Sequence, residues 1–187
     1  MPEEVSPEEV ILEAEEKMQK SIDAFKRDLA TVRTARATPQ MLDGIQVEYY
    51  GAPVPLNQVA SLSIPEARMI LLSPFDKTAL GEIEKAILKS DLNLTPQNDG
   101  TIIRIVLPEL SMERRQELVK HVKGRLEEAR VSIRNVRRDA NDHLKKLGGI
   151  PEDDLKAHQD DVQKLTDRLI GEAEKLASQK EESILTV

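Results

Sequence analysis

Cysteine and tryptophan are both absent from this chain. Without a thiol there is no disulfide framework, no thiolate metal site and no thiol nucleophile, a composition that fits a reducing compartment. Aromatic residues are confined to Phe25, Tyr49, Tyr50 and Phe75, so platforms for stacking single-stranded nucleic acid are scarce. Any RNA would have to be held through its phosphates and groove shape. No apolar run is long enough to cross a bilayer, and the stretch from Met1 to Glu9 is acidic, without the apolar core of a secretory signal or the arginines of a transit peptide. A cytoplasmic protein is expected.

The chain also lacks a glycine-rich phosphate loop: Gly81 stands alone, and Gly148-Gly149 is not followed by Lys-Ser or Lys-Thr. Nucleotide hydrolysis, if the function needs it, has to come from a partner. His121, His143 and His158 are far apart; Glu117 precedes His121 by four residues, but no second histidine or third ligand completes a metal site. Asp153-Asp154 and Asp160-Asp161 read as helix-start charges facing the positive end of a helix dipole. No catalytic residue, metal ligand or cofactor is expected, and the chain is not expected to be an enzyme.

What is present is a sorted charge pattern. The net charge of -7 over 187 residues is too acidic for indiscriminate polyanion binding, yet Met112 to Leu147 reads as one long helix with a basic face. At about 100° per residue, Arg130, Arg134, Arg137 and Arg138 fall in one sector. Lys120, Lys123 and Lys145 join them, while Glu117, Glu128, Asp139 and Asp142 fall roughly opposite. A third direction is apolar: Val122, Leu126, Ala129, Ile133, Val136, Ala140, Leu144 and Leu147 step by three and four, as a buried seam does. A charged helix face is ordinarily just solvated and laced with ion pairs. Sorting by sign favours a binding face instead, since i to i+4 pairing would interleave opposite charges.

Two further long helices accompany it. Ser6-Pro7-Glu8-Glu9 has the form of a capping box with proline at the first helical position, and Ile11, Ala14, Met18, Phe25, Leu29 and Val32 continue at helical spacing toward Ala37. Pro39 should stop that helix near Thr38. Ser111 is a plausible cap for the basic helix, which Gly148-Gly149 should end. Pro151-Glu152-Asp153-Asp154 opens the last helix, with Leu155, Val162, Leu165, Leu169, Ala173 and Leu176 as its seam.

Between the first and second long helices the pattern changes to short β-rich runs at 45–50, 59–64, 68–72 and 101–107, interrupted by a helix over 78–91 and by a turn at Asn98-Asp99-Gly100. Adjacent Tyr49 and Tyr50 should place one ring in the core and the other in solvent. Single-striped helices must bury their stripes against one another. The expected fold is therefore α+β: a three-helix bundle from 1–37 and 108–187, with a small α/β domain, 38–107, inserted through a two-stranded hinge at Thr38, Pro39, Leu107 and Pro108. Two adjacent connections would make an elbow.

The segment Val131-Ser132-Ile133-Arg134-Asn135-Val136-Arg137-Arg138-Asp139-Ala140-Asn141-Asp142 closely resembles the signature of the ribosome recycling factor family. Val32-Arg33-Thr34-Ala35-Arg36-Ala37, Val47-Glu48-Tyr49-Tyr50-Gly51, Asn98-Asp99-Gly100, Glu113-Arg114-Arg115 and Val162-Gln163-Lys164-Leu165-Thr166-Asp167 resemble further family blocks, in family order. The resemblance implies an L-shaped molecule that binds large-subunit rRNA and, with elongation factor G and GTP, splits the bacterial-type ribosome after termination, releasing mRNA and tRNA. A monomer is expected. Carried over residue by residue, it implies rRNA contacts at Arg134, Arg137 and Arg138, supported by Arg33, Arg36 and Arg115; Arg130 joins them from its place on the face.

Three departures stand out: Ala35 where glycine is common, which should stiffen the first helix; Phe75 where tryptophan is frequent, an aromatic filler; and Gly148-Gly149-Ile150-Pro151 in place of a more polar link. The competing reading from the residues is a helical adaptor whose basic face meets an acidic protein. A metal-dependent hydrolase lacks a ligand cluster.

Overall fold

The computed structural model describes residues 4–186. They form two compact units, one of residues up to Arg33 together with Met112–Leu185, the other of Thr34–Ser111.

The first unit is built from three helices: α1 (Pro7–Thr31), α4 (Met112–Lys146) and α5 (Glu152–Leu185). The capping box is formed in full, with Ser6 Oγ accepting from the Glu9 amide and the Glu9 carboxylate accepting from the Ser6 amide. All three helices pack pairwise. In α1 the buried positions are Val10, Ala14, Met18, Ile22, Phe25 and Leu29. Val10 rather than Ile11 thus leads the stripe, and Ile22 belongs to it. In α4, Leu118, Val122, Leu126, Ala129, Ile133, Ala140 and Leu144 are buried. Val136 and Leu147 are only partly covered, packed on the cluster of Val10, Ala14, Ala140, Leu144 and Val162. In α5 the stripe is Val162, Leu165, Thr166, Leu169, Ala173, Ala177 and Ile184, with Leu155 and Leu176 at its half-buried margin. Thr166 is fully buried because its hydroxyl is spent locally, donating to the Val162 carbonyl at 2.8 Å.

Helix ends depart from expectation in one place. α1 stops at Thr31, not near Thr38, and residues 32–38 have no regular structure. Ala35 therefore lies outside any helix, buried to 4 % exposure, and cannot stiffen one. α4 ends on the two glycines as expected, Gly149 taking φ +79°, where a side chain would be strained. Asp153 and Asp154 do occupy the first turn of α5, but Asp160 and Asp161 sit well inside it and are not helix-start charges.

The second unit holds a hairpin, β1 (Gln46–Tyr49) with β2 (Ala52–Pro55), a single helical turn α2 (Leu56–Val59), and strands β3 (Ala60–Glu66), β4 (Met69–Pro74), β5 (Pro96–Asn98) and β6 (Ile103–Val106). The four-stranded sheet is antiparallel in the order β3-β4-β6-β5. Helix α3 (Leu80–Lys89) buries Leu80, Ile83 and Ile87 in the unit's core, which also holds Val47, Ile70, Leu72, Ile103 and Ile105. Two short strands escaped the periodicity. Gln46 pairs with Pro55 and Glu48 with Pro53, and prolines that read as separators are tolerated on an edge. In the loop from β5 to β6, Asp99 Oδ1 accepts from the amides of Thr101 and Ile102 and from the Thr101 hydroxyl, while Asn98 Oδ1 accepts from the Gly100 amide. The Ile102 amide, then the Thr101 amide and hydroxyl, hold the Asp99 carboxyl below its usual pKa.

Tyr49 is half-buried and Tyr50 84 % exposed, as expected of the pair. The cause is turn geometry, since Tyr50 at φ +51° and Gly51 at φ +78° form the hairpin turn rather than continuing the strand. The Tyr49 hydroxyl donates to Asp76 at 2.9 Å. Phe75 is 69 % exposed, so it fills nothing.

Candidate nucleic-acid interface

A helix of 35 residues is on the order of 50 Å long, and α4 presents its basic sector along that length. Lys120, Lys123 and Lys145 are exposed, as is Arg138; Arg134 and Arg137 are half-covered. This gradation fits the helical angles: of the four arginines of the face, Arg137 lies nearest the apolar seam and Arg138 farthest from it.

The four arginines differ in what they already hold. Arg130 is 28 % exposed and bound to two carboxylates, Glu174 of α5 at 2.8 Å and Glu127 of α4 at 3.2 Å. The bond to Glu174 raises its pKa further above an already high value, burial opposes, and the bond to Glu127 adds to the rise. Arg130 is thus a strut between α4 and α5. Arg134 lies 3.7 Å from the other oxygen of Glu127. Among the described residues Arg137 and Arg138 make no ion pair or hydrogen bond. Sign segregation is incomplete for the same reason. Glu127 lies about 60° from Arg130 around the helix, inside the basic sector, and is missing from the opposite face where the other acids fall.

The supporting arginines scatter. Arg115 is half-buried and donates to the Leu185 carbonyl at 3.1 Å, capping the C-terminal end of α5. Arg33 closes the bundle's first segment and Arg36 belongs to the smaller unit; both are exposed. Of the residues expected at the hinge, Thr38 and Pro39 start a 3-10 turn, Leu107 is buried in the core of the smaller unit, and Pro108 is exposed. The chain entering that unit and the chain leaving it are tied to neighbouring residues: the Ala37 amide donates to the Ala67 carbonyl at 2.6 Å and the Leu107 amide to the Arg68 carbonyl at 2.8 Å.

The ribosome recycling factor family model matches residues 25–185, which include the whole of α4 and of the smaller unit. The chain belongs to the ribosome recycling factor family. It is 57 % identical over 182 residues to the ribosome-recycling factor of Bacillus subtilis (strain 168), covering 96 % of this chain and 98 % of that protein. To that of Listeria monocytogenes serovar 1/2a (strain EGD-e) it is 55 % identical with the same coverage. A solution structure of a ribosome recycling factor superposes with a TM-score of 0.73 at 43 % identity, over 97 % of this chain and 98 % of that one. A second, the T. thermophilus ribosome recycling factor described with E. coli elongation factor G on the E. coli post-termination complex, gives 0.62 at 45 %, over 96 % and 99 %. Neither the family nor these relatives carries the name of an enzymatic activity. Among the described residues no helix is long and apolar enough to cross a membrane.

Within this ribosome recycling factor fold, sequence reasoning missed three features of the face: the carboxylate of Glu127 inside it, the strut to Glu174, and the capping role of Arg115. Glu127 was visible in the helical angles. The other two depend on which residue of α5 lies opposite, a distance of 44 positions along the chain for Arg130 and 70 for Arg115.

Proposed function

We propose that this chain acts in ribosome recycling as a non-enzymatic, cytoplasmic monomer: it binds large-subunit rRNA on the post-termination ribosome and, with elongation factor G hydrolysing GTP, separates the subunits so that mRNA and tRNA are released. Family membership along nearly the whole chain carries this reading. The basic face gives it a physical means. Among the described residues Arg137 and Arg138 make no ion pair, and they are carried by a helix packed on two others, so they meet phosphates without first giving up a partner among those residues. Arg134 follows once released by Glu127, whereas Arg130 and Arg115 act by holding the helices that carry the face.

The two units, bundle and small α/β domain, bend against each other in this reading. The chain passes from one unit to the other at 33–34 and returns at 111–112, so bending belongs to those two crossings. The deciding measurement is light scattering of post-termination ribosomes with this protein, with and without elongation factor G and GTP. A drop in scattering that needs all components is expected. Unchanged scattering with every component present would overturn the reading.

A further inference from the structure

We infer that Glu127 is a built-in competitor of RNA phosphate that limits how tightly the basic face binds. The inference rests on the reading of that face as the rRNA-binding surface. One carboxylate bridges two guanidiniums there, Oε2 to Arg130 at 3.2 Å and Oε1 to Arg134 at 3.7 Å. That is the arrangement a phosphate would take on the same pair. Glu127 is 57 % exposed, so neither burial nor packing fixes it, and an incoming phosphate can displace it from Arg134. Arg130 keeps its second carboxylate, Glu174, at 2.8 Å whether or not Glu127 stays. The residue whose availability Glu127 governs is therefore Arg134.

The physical consequence is an affinity set below what the row of cations allows. A bound phosphate must break a carboxylate contact and then tolerate the carboxylate nearby. A factor that works in cycles has to leave the large subunit after each round, and such a displaceable internal anion shortens its stay without weakening the fold.

The test is equilibrium binding of the full chain to isolated large subunits over a range of salt. Glu127→Gln should bind about three- to tenfold tighter, as expected from losing one or two exposed pairs, and should steepen the log-log salt slope by roughly 0.7–0.9, the share of one more cation. Glu128→Gln is the control. It removes the same charge one residue on, from a carboxylate that pairs with Arg125 at 3.0 Å, away from the face. Equal tightening by both variants, or none by Glu127→Gln, overturns the inference. The paired variant Arg137→Gln with Arg138→Gln separates it from the underlying reading. If that pair weakens binding while Glu127→Gln changes nothing, only the role of Glu127 falls; if the pair binds like the parent, the rRNA face falls with it.

Discussion

Replacing Arg137 and Arg138 together by alanine removes two cations that make no internal ion pair among the described residues. Any loss of binding then reflects contacts made with the ribosome rather than a broken internal network. Each phosphate neutralised contributes about 0.7 to 0.9 to the slope of log affinity against log salt. Losing two should flatten the slope by about 1.4 to 1.8. Between about 50 and 200 mM salt, a fourfold change, the deficit of the double variant against the parent should therefore shrink by roughly tenfold. Filter binding or sedimentation with large subunits at several salt concentrations reads this directly. Asp142→Ala on the same helix should weaken binding less than Arg137→Ala. Parallel salt curves for parent and double variant would refute the reasoning, because a deficit independent of salt cannot come from released counterions.

Arg130→Met should act on stability instead. It removes two partly exposed pairs, one of them joining α4 to α5, at a cost of about 0.5–1.5 kcal/mol in chemical denaturation, with a salt slope near the parent's. Ile133→Ala opens a hole at a fully buried position of α4 and should cost about 2–5 kcal/mol, read as an earlier unfolding midpoint in the bundle. Tyr49 donates to the Asp76 carboxylate, which lifts its phenol from 10.0 to about 12. A raised acid of this kind lends stability that is whole below pH 10 and is lost as pH climbs through about 12. Tyrosinate absorbance should show this, with the late titration moving down in Asp76→Asn. Asp76 itself is held low, chiefly by the Thr78 amide, then by the Thr78 hydroxyl and Tyr49, so its contribution is lost at the acid end, as pH falls through its lowered pKa.

The long helices were legible because their signals are local: a capping box at Ser6, a glycine stop at Gly149, and apolar residues recurring at steps of three and four. Such features act within a few turns of chain. The smaller unit was legible in outline only. β2 and β5 are three or four residues long and carry prolines, so neither offers the alternation that marks a strand, and both exist because a partner strand pairs with them. The end of α1 was misplaced for a related reason. Pro39 disfavours helix just before it, but helix is lost earlier, at Thr31.

From the residues alone came the fold class, the family resemblance and the sector of α4 that carries positive charge, since periodicity and residue type suffice for each. Which of those charges remain available was decided by packing. Glu174 reaches Arg130 and the Leu185 carbonyl receives Arg115 because α5 lies against α4. Arg137 and Arg138 are left over because no carboxylate of the neighbouring helices comes within reach among the described residues. Helical angle is a property of sequence, whereas the partner across a helix pair is a property of the folded chain.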